Sequence, residues 1–278
     1  MFPVLIQVGP LTIYSYGVFL GLSCVAGAHL AVALCERSGT ERARAWWFTL
    51  VVILIGLVGG RVHDVIVNGG GLAELFKLVH SGRTAYGAFL SATLAAVAAS
   101  RWLGVPFWRF GDAAAPGMAL GLALTRIGCF LAGCDYGVRC DPPWGVCFPP
   151  DSPAWHDQGL VDLTKPSLPV FPVQLAESAL SGLIFAALMW LWYRRPRREG
   201  TVLLAFFALY GLARSSLEQL RGDSGRGELL GLSTSTTIGL LTALLAGLAA
   251  APPLARLRPP AGPVLAPPPA EPEAKPAS

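Results

Sequence analysis

The chain has 278 residues, of which 53% are hydrophobic and only 14% are charged, and its net charge is +4. Soluble domains usually carry about 25% charged residues, so the composition excludes an ordinary water-soluble protein. The apolar runs are long and unbroken, which excludes a membrane β-barrel with its short alternating strands. No basic stripe with interleaved aromatics occurs, so nucleic-acid binding is not expected.

Seven apolar segments approach the roughly 20 residues that a helix needs to cross a bilayer. The N-terminal segment has no basic stretch and no cleavage pattern, so we expect the first span to remain as an uncleaved anchor. The predicted spans are 12–35, 45–67, 84–103, 112–133, 172–193, 200–219 and 229–251.

Lysines and arginines are distributed unequally between the loops on the two sides of the membrane. Twelve follow spans one, three, five and seven, whereas six lie in the other loops. Because positive charge favours the cytoplasmic side, the N-terminus is predicted outside and the C-terminus inside. The predicted fold class is an all-α polytopic membrane protein with seven transmembrane helices.

Two polar segments complete the predicted organisation. Residues 134–171 contain Pro, Asp and Cys and form an outer loop of a seven-span domain that covers 1–251. Residues 252–278 consist mainly of Pro and Ala with a few charges. Such a segment cannot bury a core, so we expect a disordered cytoplasmic tail.

Charged residues within the apolar runs point to a site. Arg126 lies near the end of span four, where a guanidinium costs about 2.5–3.5 kcal/mol on insertion. Tyr210, Arg214 and Glu218 follow at i, i+4 and i+8 and share one helix face. By the predicted topology the outer half of the membrane also holds Tyr16 and Gln174, and Glu177 shares a helix face with Gln174 at i, i+3. Arginine binds phosphate in bidentate fashion, so we predict an outward-facing site for a lipid phosphate.

Several of these groups have structural alternatives. Arg61 and Asp64 stand at i, i+3 in span two and can form a structural ion pair. Glu177 can brace a neighbouring helix, and the tyrosines can belong to an interfacial belt.

Four cysteines lie at or beyond the outer end of span four, on an oxidising side. We predict that two of Cys134, Cys140 and Cys147 form a disulfide, although spacing cannot give the pairing. A zinc site is not expected beside Cys129, because the chain has no Cys-x-x-Cys spacing here.

The segment from Thr125 to Gly137 is similar, without a gap, to a signature that runs roughly Gly-Arg-x-x-Asn-Phe-x-Asn-Gly-Glu-x-x-Gly. Arg126, Phe130 and Gly133 match it, and Gly137 is its closing glycine. This signature belongs to the prolipoprotein diacylglyceryl transferases of the bacterial inner membrane, which residues 1 to about 250 resemble. Further matches occur in the family's order at Tyr16-Gly17, Gly60-Arg61, Tyr86-Gly87, Pro172–Glu177 and Tyr210–Arg221.

The chain departs from the family at a few positions. The signature's two Asn and its Glu are here Cys129, Ala132 and Cys134. Tyr86 stands where other members have His or Tyr, and Ala88 replaces a glycine of the same segment.

The resemblance implies a reaction. The family transfers the diacylglyceryl group of phosphatidylglycerol to the lipobox cysteine of a prolipoprotein signal peptide, forming a thioether and releasing glycerol phosphate. It implies a multi-pass protein of the bacterial inner membrane with its site toward the outer leaflet, in contact with membrane lipids and without a metal or organic cofactor. The catalytic residues would be Arg126, Arg214 and Tyr86. The substrate-binding residues would be Tyr16, Arg61, Gly137, Gln174, Glu177, Tyr210, Glu218 and Arg221.

Two other functions remain open at this level. A membrane thiol–disulfide oxidoreductase working with quinone would explain the outward cysteines, but not two membrane arginines. An inactive or divergent paralogue could act as a lipid-binding scaffold.

Overall fold

The computed structural model describes residues 2–9, 11–67, 69, 71, 75, 85–194, 198–223, 227–229 and 231–262. Within these residues, seven long helices occupy the predicted spans. They are α1 (Ser15–Arg37), α2 (Arg42–Val67), α3 (Ala85–Trp102), α4 (Phe107–Ala132), α6 (Val173–Tyr193), α7 (Thr201–Leu217) and α8 (Thr234–Ala250). Shorter helices are α5 (Pro153–Asp157) and α9 (Pro252–Ala255), and a 3-10 turn (Glu218–Leu220) continues α7.

The chain is an all-α polytopic membrane protein in its main body. By length and composition, five helices in the described part are able to cross a membrane: α1, α2, α4, α6 and α7. Helix α8 is apolar but has only 17 residues, about 25 Å at 1.5 Å per residue. A span at α3 and at α8 stays a prediction.

Two small hairpins correct the predicted starts of the first and seventh spans. Strand β1 (Val4–Val8) pairs antiparallel with β2 (Leu11–Tyr14), and β3 (Glu228–Leu229) pairs with β4 (Leu232–Ser233). Helix α8 begins after its hairpin because the Ser233 hydroxyl accepts the backbone N–H of Thr236 at 3.1 Å, a side-chain cap of the helix N-terminus.

Helix α4 lies at the centre and packs against α1, α6 and α7, while α2 packs against α1 and α3. Small residues permit the closest approaches, as is common between membrane helices. A Cβ on Gly117 of α4 would lie 2.6 Å from the carbonyl oxygen of Gly27 of α1. A Cβ on Gly211 of α7 would lie 2.3 Å from that of Gly239 of α8.

Asp112 joins α4 to the start of α7. Its carboxylate is 2% exposed and accepts the backbone N–H groups of Gly200, Val202 and Leu203 at 2.9, 2.8 and 3.0 Å. Gly200, the residue before α7, has a φ of +83° and no side chain to cap the helix. The first turn of α7 therefore has its N–H groups satisfied by a neighbouring helix.

The predicted disordered tail begins too early at residue 252. Helix α9 follows α8 directly, and Glu199 N–H donates to the Pro259 carbonyl at 2.9 Å. Arg258 is only 7% exposed and donates to the Glu199 carbonyl at 3.1 Å. The part up to 262 therefore packs against the loop before α7, because backbone and guanidinium groups find partners there. Residues 263–278 lie outside the described part.

The predicted outer loop is folded. Gly133 ends α4 in the left-handed region, with φ +80° and its N–H bonded to the Cys129 carbonyl. A small apolar cluster follows, in which Tyr136, Phe148, Ala154 and Val170 are buried and Phe130 of α4 packs against them. This cluster holds the loop against the end of α4 that carries Arg126.

Candidate functional site

Three arginines converge on one carboxylate at the end of the bundle where α4 and α7 finish. Glu177 of α6 is 6% exposed, and its Oε2 lies 2.8 Å from Nε of Arg126. Its Oε1 lies 3.6 Å from Nη1 of Arg214 and 3.6 Å from Nη1 of Arg221. We call Arg126, Arg214 and Arg221 the arginine cluster.

Arg214 is further held from its own helix and from α8. Its Nη1 lies 2.5 Å from Oε2 of Glu218, at i+4, and its Nη2 donates to the Ser235 hydroxyl at 3.1 Å. The predicted shared face of Arg214 and Glu218 is therefore confirmed, and the Ser/Thr-rich start of α8 contacts the site.

A second bridging carboxylate comes from the loop after α4. Asp135 Oδ2 accepts from Arg126 Nη1 at 2.7 Å, and its Oδ1 accepts from Arg221 Nη2 at 2.8 Å. Burial alone would raise the pKa of Asp135, but the two guanidinium groups outweigh it and hold that pKa at about 2. Asp223 also binds Arg221, accepting from its Nε at 2.9 Å and from its Nη2 at 2.7 Å.

A cleft adjoins these ion pairs between α4, α6 and α7. Its polar lining includes Arg126, Arg214 and Tyr210, and its apolar lining comes from Leu122, Leu180 and Leu217 among others. Guanidinium groups beside aliphatic side chains suit a ligand that carries both a phosphate and an acyl chain.

The sequence predicts a lipid phosphate as the anion beside Arg126, but two carboxylates of the protein already contact this arginine. Asp135 lies against its Nη1 and Glu177 against its Nε. An arginine has five N–H donors, so these contacts orient the guanidinium without using all of its hydrogen-bonding capacity. The sequence missed this because both carboxylates come from outside the helix that carries Arg126.

Three other predicted site residues lie around the cluster and support it in different ways. Gln174 is fully buried and donates to the Cys134 carbonyl at 2.8 Å. Gly137 allows three chain segments to meet, because a Cβ there would lie 2.4 Å from the Phe171 carbonyl oxygen. Tyr16 of α1 lies close enough to Arg126 and Asp135 for an electrostatic interaction.

The remaining predicted site residues, Arg61 and Tyr86, lie on α2 and α3. Arg61 Nη1 donates to Asp64 Oδ2 on the same helix at 3.1 Å, and both side chains are 12% exposed. This geometry fits the structural ion-pair alternative, since α2 packs against α1 and α3. The backbone of Tyr86 lies at the start of α3, but its side chain lies outside the described part.

The predicted disulfide is absent from residues 134–171, all of which the structure describes, and Cys134, Cys140 and Cys147 are free thiols.

Cys129 is buried, and its thiol donates to Asp135 Oδ2 at 3.3 Å. Cys129, Cys134 and Asp135 offer three metal-ligand atoms within 4.8 Å of one another. Both Asp135 oxygens already accept from arginines, so a metal cation would meet two positive charges there. We assign the carboxylate to arginine binding.

Asp135, Asp223 and Ser235 were not among the predicted site residues. Asp135 had a visible signal, since it directly follows Cys134, where the family signature has its Glu. Asp223 also had a local signal, since it lies only two residues after Arg221. Ser235 reaches Arg214 through the packing of α8 against α7.

Comparison with known proteins gives the same family as the motifs. Residues 3–251 match the family model described as prolipoprotein diacylglyceryl transferase. The chain is 30% identical over 248 residues to the phosphatidylglycerol–prolipoprotein diacylglyceryl transferase of Clostridium tetani, covering 88% of this chain and 95% of that protein. The protein of the same name from Caulobacter vibrioides is 30% identical over 270 residues, with 88% and 89% covered.

A third relative, the transferase of that name from Nitrosospira multiformis, is 32% identical over 234 residues, covering 79% of this chain and 74% of that protein. The family match extends through helices α1 to α8, including those that carry the arginine cluster. These similarities confirm the predicted transferase over the oxidoreductase alternative. The chain therefore belongs to the prolipoprotein diacylglyceryl transferase family and is a multi-pass membrane transferase of lipoprotein biosynthesis.

Proposed function

We propose that the arginine cluster and the adjoining cleft are the site at which this chain transfers the diacylglyceryl group of phosphatidylglycerol to a lipobox cysteine. The observation that carries the proposal is the convergence of Arg126, Arg214 and Arg221 on Glu177 beside an apolar-lined cleft. One end of that cleft suits the phosphate, and its leucines suit the first carbons of the acyl chains.

The reaction forms one bond and breaks one bond. The cysteine sulfur bonds to the glycerol carbon of the diacylglyceryl group, and the bond from that carbon to the phosphate oxygen breaks. The phosphate changes from a diester with one negative charge to a monoester that gains charge as it leaves as glycerol phosphate. Arg126 and Arg214 stabilise this developing charge, because they are already oriented in a site with little water.

Preorganisation explains why the arginines are paired with carboxylates. Reorienting a flexible arginine during the reaction would add to the barrier, whereas a guanidinium already held on two sides needs no such movement. Glu177 and Glu218 serve this purpose, and Arg221 completes the cluster on the other oxygen of Glu177. Gln174 holds the turn after α4, Tyr210 lines the cleft, and Tyr16 lies near Arg126. Tyr86 is the candidate to orient a phosphate oxygen.

The thiol must lose its proton, since the thiolate is the nucleophile. Four carboxylates offset the net charge of the arginine cluster, so the thiolate of the incoming peptide is stabilised locally, by N–H donors of Arg126 and Arg214. The proton leaves with the released phosphate or with solvent. The positive-inside distribution supports a location in the bacterial inner membrane, with seven spans, the N-terminus outside, and the site toward the outer leaflet. The lipobox cysteine of a translocated signal peptide reaches that leaflet.

The test is transfer by the purified full-length protein in vesicles with phosphatidylglycerol and a lipobox peptide. We expect the peptide to gain one diacylglyceryl mass and glycerol phosphate to be released in equal amount. Arg126→Ala and Arg214→Ala should each lower kcat by at least about 100-fold, the usual effect of losing one stabilising donor. Near-normal turnover in both would contradict the assignment.

Arg44→Ala is the matched control. Its guanidinium is 59% exposed and pairs with Glu41 at the start of α2, at the predicted cytoplasmic side. Loss of one exposed arginine should leave both turnover and protein yield unchanged. Tyr86→Phe tests the remaining catalytic candidate, and full activity in that variant would exclude the hydroxyl from the reaction.

A further inference from the structure

Position 134 holds a cysteine where the family signature has glutamate, and the next residue, Asp135, bridges two arginines of the site. We propose that Asp135 is a positioning residue that holds Arg126 in its reactive orientation by joining it to Arg221. The inference rests on the proposed function of the arginine cluster and adds to it a residue that the motif comparison would not select.

The first support is the number and direction of the contacts to Asp135. One oxygen accepts from Arg126 at 2.7 Å and from the Cys129 thiol at 3.3 Å, and the other accepts from Arg221 at 2.8 Å. The carboxylate therefore connects the last turns of α4 to the segment that follows α7. Removing it would leave only the longer contact of Glu177 with Arg221 to connect these two arginines.

The second support is the geometry at Arg126. Glu177 lies 2.8 Å from its Nε, and Asp135 lies 2.7 Å from its Nη1. A guanidinium is planar and its N–H groups have fixed directions. Two carboxylates on different nitrogens therefore determine both its position and its plane, whereas one alone would leave the group able to rotate.

The third support is the backbone. Asp135 has a φ of +54°, in the left-handed region, which is uncommon for residues other than glycine and tends to persist where the surroundings impose it. Neighbouring hydrogen bonds impose it here. The Cys134 carbonyl accepts from Gln174 at 2.8 Å, and the Tyr136 carbonyl accepts from the Gly222 N–H at 3.0 Å. The chain is thus held on both sides of Asp135 in a conformation that lets its carboxylate reach the arginines.

The position of Asp135 explains how the chain can have Cys134 where the family signature has glutamate. The Cys134 sulfur lies within 4.8 Å of an Asp135 carboxylate oxygen, so a longer acidic side chain at 134 could reach the same region. The acidic group has moved by one position along the chain while staying near the same arginines. Asp135 is not a base for the thiol, because its low pKa makes it a poor proton acceptor at neutral pH.

The test compares three full-length proteins in the vesicle assay: wild type, Asp135→Asn, and Asp135→Asn combined with Cys134→Glu. Asn tolerates the left-handed region as Asp does, so the backbone is retained while the charge is lost. We expect Asp135→Asn to lower kcat on the order of 10–100-fold, as loss of the groups that orient metal-bound ligands does in metalloenzymes, with the KM for phosphatidylglycerol nearly unchanged. The double variant with Cys134→Glu should have a kcat at least about tenfold higher than Asp135→Asn, because it returns a carboxylate to the arginines.

Asp141→Asn is the control for removing an exposed acidic residue of the same loop, and it should keep full activity. If Asp135→Asn has the wild-type kcat, the inference about Asp135 is wrong and the proposed function still stands. If the wild type shows no transfer, the proposed function itself is wrong. If Asp135→Asn does not accumulate, the double variant decides. Recovery of folding and transfer in it supports the inference, and a folded double variant without transfer overturns it.

Discussion

Nε of Arg126 lies 2.8 Å from Oε2 of Glu177, and the other oxygen of the same carboxylate faces Arg214 and Arg221 at 3.6 Å. Glu177 comes from the start of α6, whereas the arginines come from α4, α7 and the segment after α7. Together with Asp135, Glu218 and Asp223, this carboxylate counters the repulsion among three neighbouring guanidinium groups. Its loss should affect both folding and catalysis.

We predict that Glu177→Gln lowers stability by about 3–5 kcal/mol, the usual effect of removing one partner from a buried ion pair. Turnover should fall by more than tenfold in the protein that remains folded, because Arg126 loses the group that orients its Nε. Thermal unfolding in detergent and the vesicle assay measure the two effects.

Glu36→Gln is the control for that variant, since Glu36 pairs with an exposed Arg42 at the end of α1. An exposed pair contributes only about 0–1 kcal/mol, so its loss should be hard to detect. If Glu177→Gln behaves like Glu36→Gln, the central role of Glu177 is wrong.

Gly137→Ala should destabilise the protein by about 1–3 kcal/mol, as overpacking does. Its Cβ would lie 2.4 Å from the Phe171 carbonyl oxygen and 2.8 Å from that of Leu220. At Gly182 of α6, the position that a Cβ would occupy has no atom within 4 Å, so Gly182→Ala should be neutral or slightly stabilising. Equal unfolding temperatures for the two variants would contradict the close approach at Gly137.

Asp112→Ala should lower stability by at least about 1–3 kcal/mol, because three buried N–H groups at the start of α7 lose their acceptor. The measurement is the apparent melting temperature, with Asp141→Ala as an exposed control. A variant as stable as the control would show that another group caps α7.

Stability should depend on the charge of Asp135 only at low pH. Its pKa is about 2 in the folded chain against an ordinary value of 3.8, so the unfolded chain binds the proton more readily. The stabilisation is complete above about pH 5 and is lost as the pH falls through 4 toward 2. The melting-temperature difference between wild type and Asp135→Asn should therefore be constant from about pH 8 to 5 and shrink below 4. A difference that changes near neutral pH would assign the titration to another group.

Truncation distinguishes the two parts of the C-terminal segment. Ending the chain at 251 removes Arg258 and the Pro259 carbonyl that accepts from Glu199, so stability should fall. Ending it at 262 keeps both contacts and should preserve the melting temperature. The same value for both truncations would mean that residues 252–262 contribute nothing.

The sequence predicted the long helices well, because apolar length and the loop charges carry that information directly. It predicted the starts of the first and last spans less well. Leu11 to Tyr14 and Leu232 to Ser233 are apolar enough to extend a helix, but their hairpin partners compete for the same residues. Pairing with a partner strand is a tertiary effect that a hydropathy pattern does not contain.

The site was predicted where spacing within one helix carries the information, as for Arg214 and Glu218. It was incomplete where residues distant in sequence meet. Asp135 was missed because a cysteine stood at the expected acidic position, and Glu177 was given no link to Arg221. The predicted disulfide rested on compartment and cysteine number, neither of which gives distances between sulfurs.

Asp112 has a mechanical consequence for the pair of arginines. It joins α4 and α7 near their starts, while Arg126 and Arg214 lie 14 and 12 residues further along from Asp112 and Val202, or roughly 20 Å in each helix. The two helices are therefore tied at both ends, by Asp112 at one end and by the Glu177 ion pairs at the other. We expect spin labels beside the two arginines to keep their separation when lipid is added, as labels near Asp112 should. A lipid would then enter between helices whose spacing is already set.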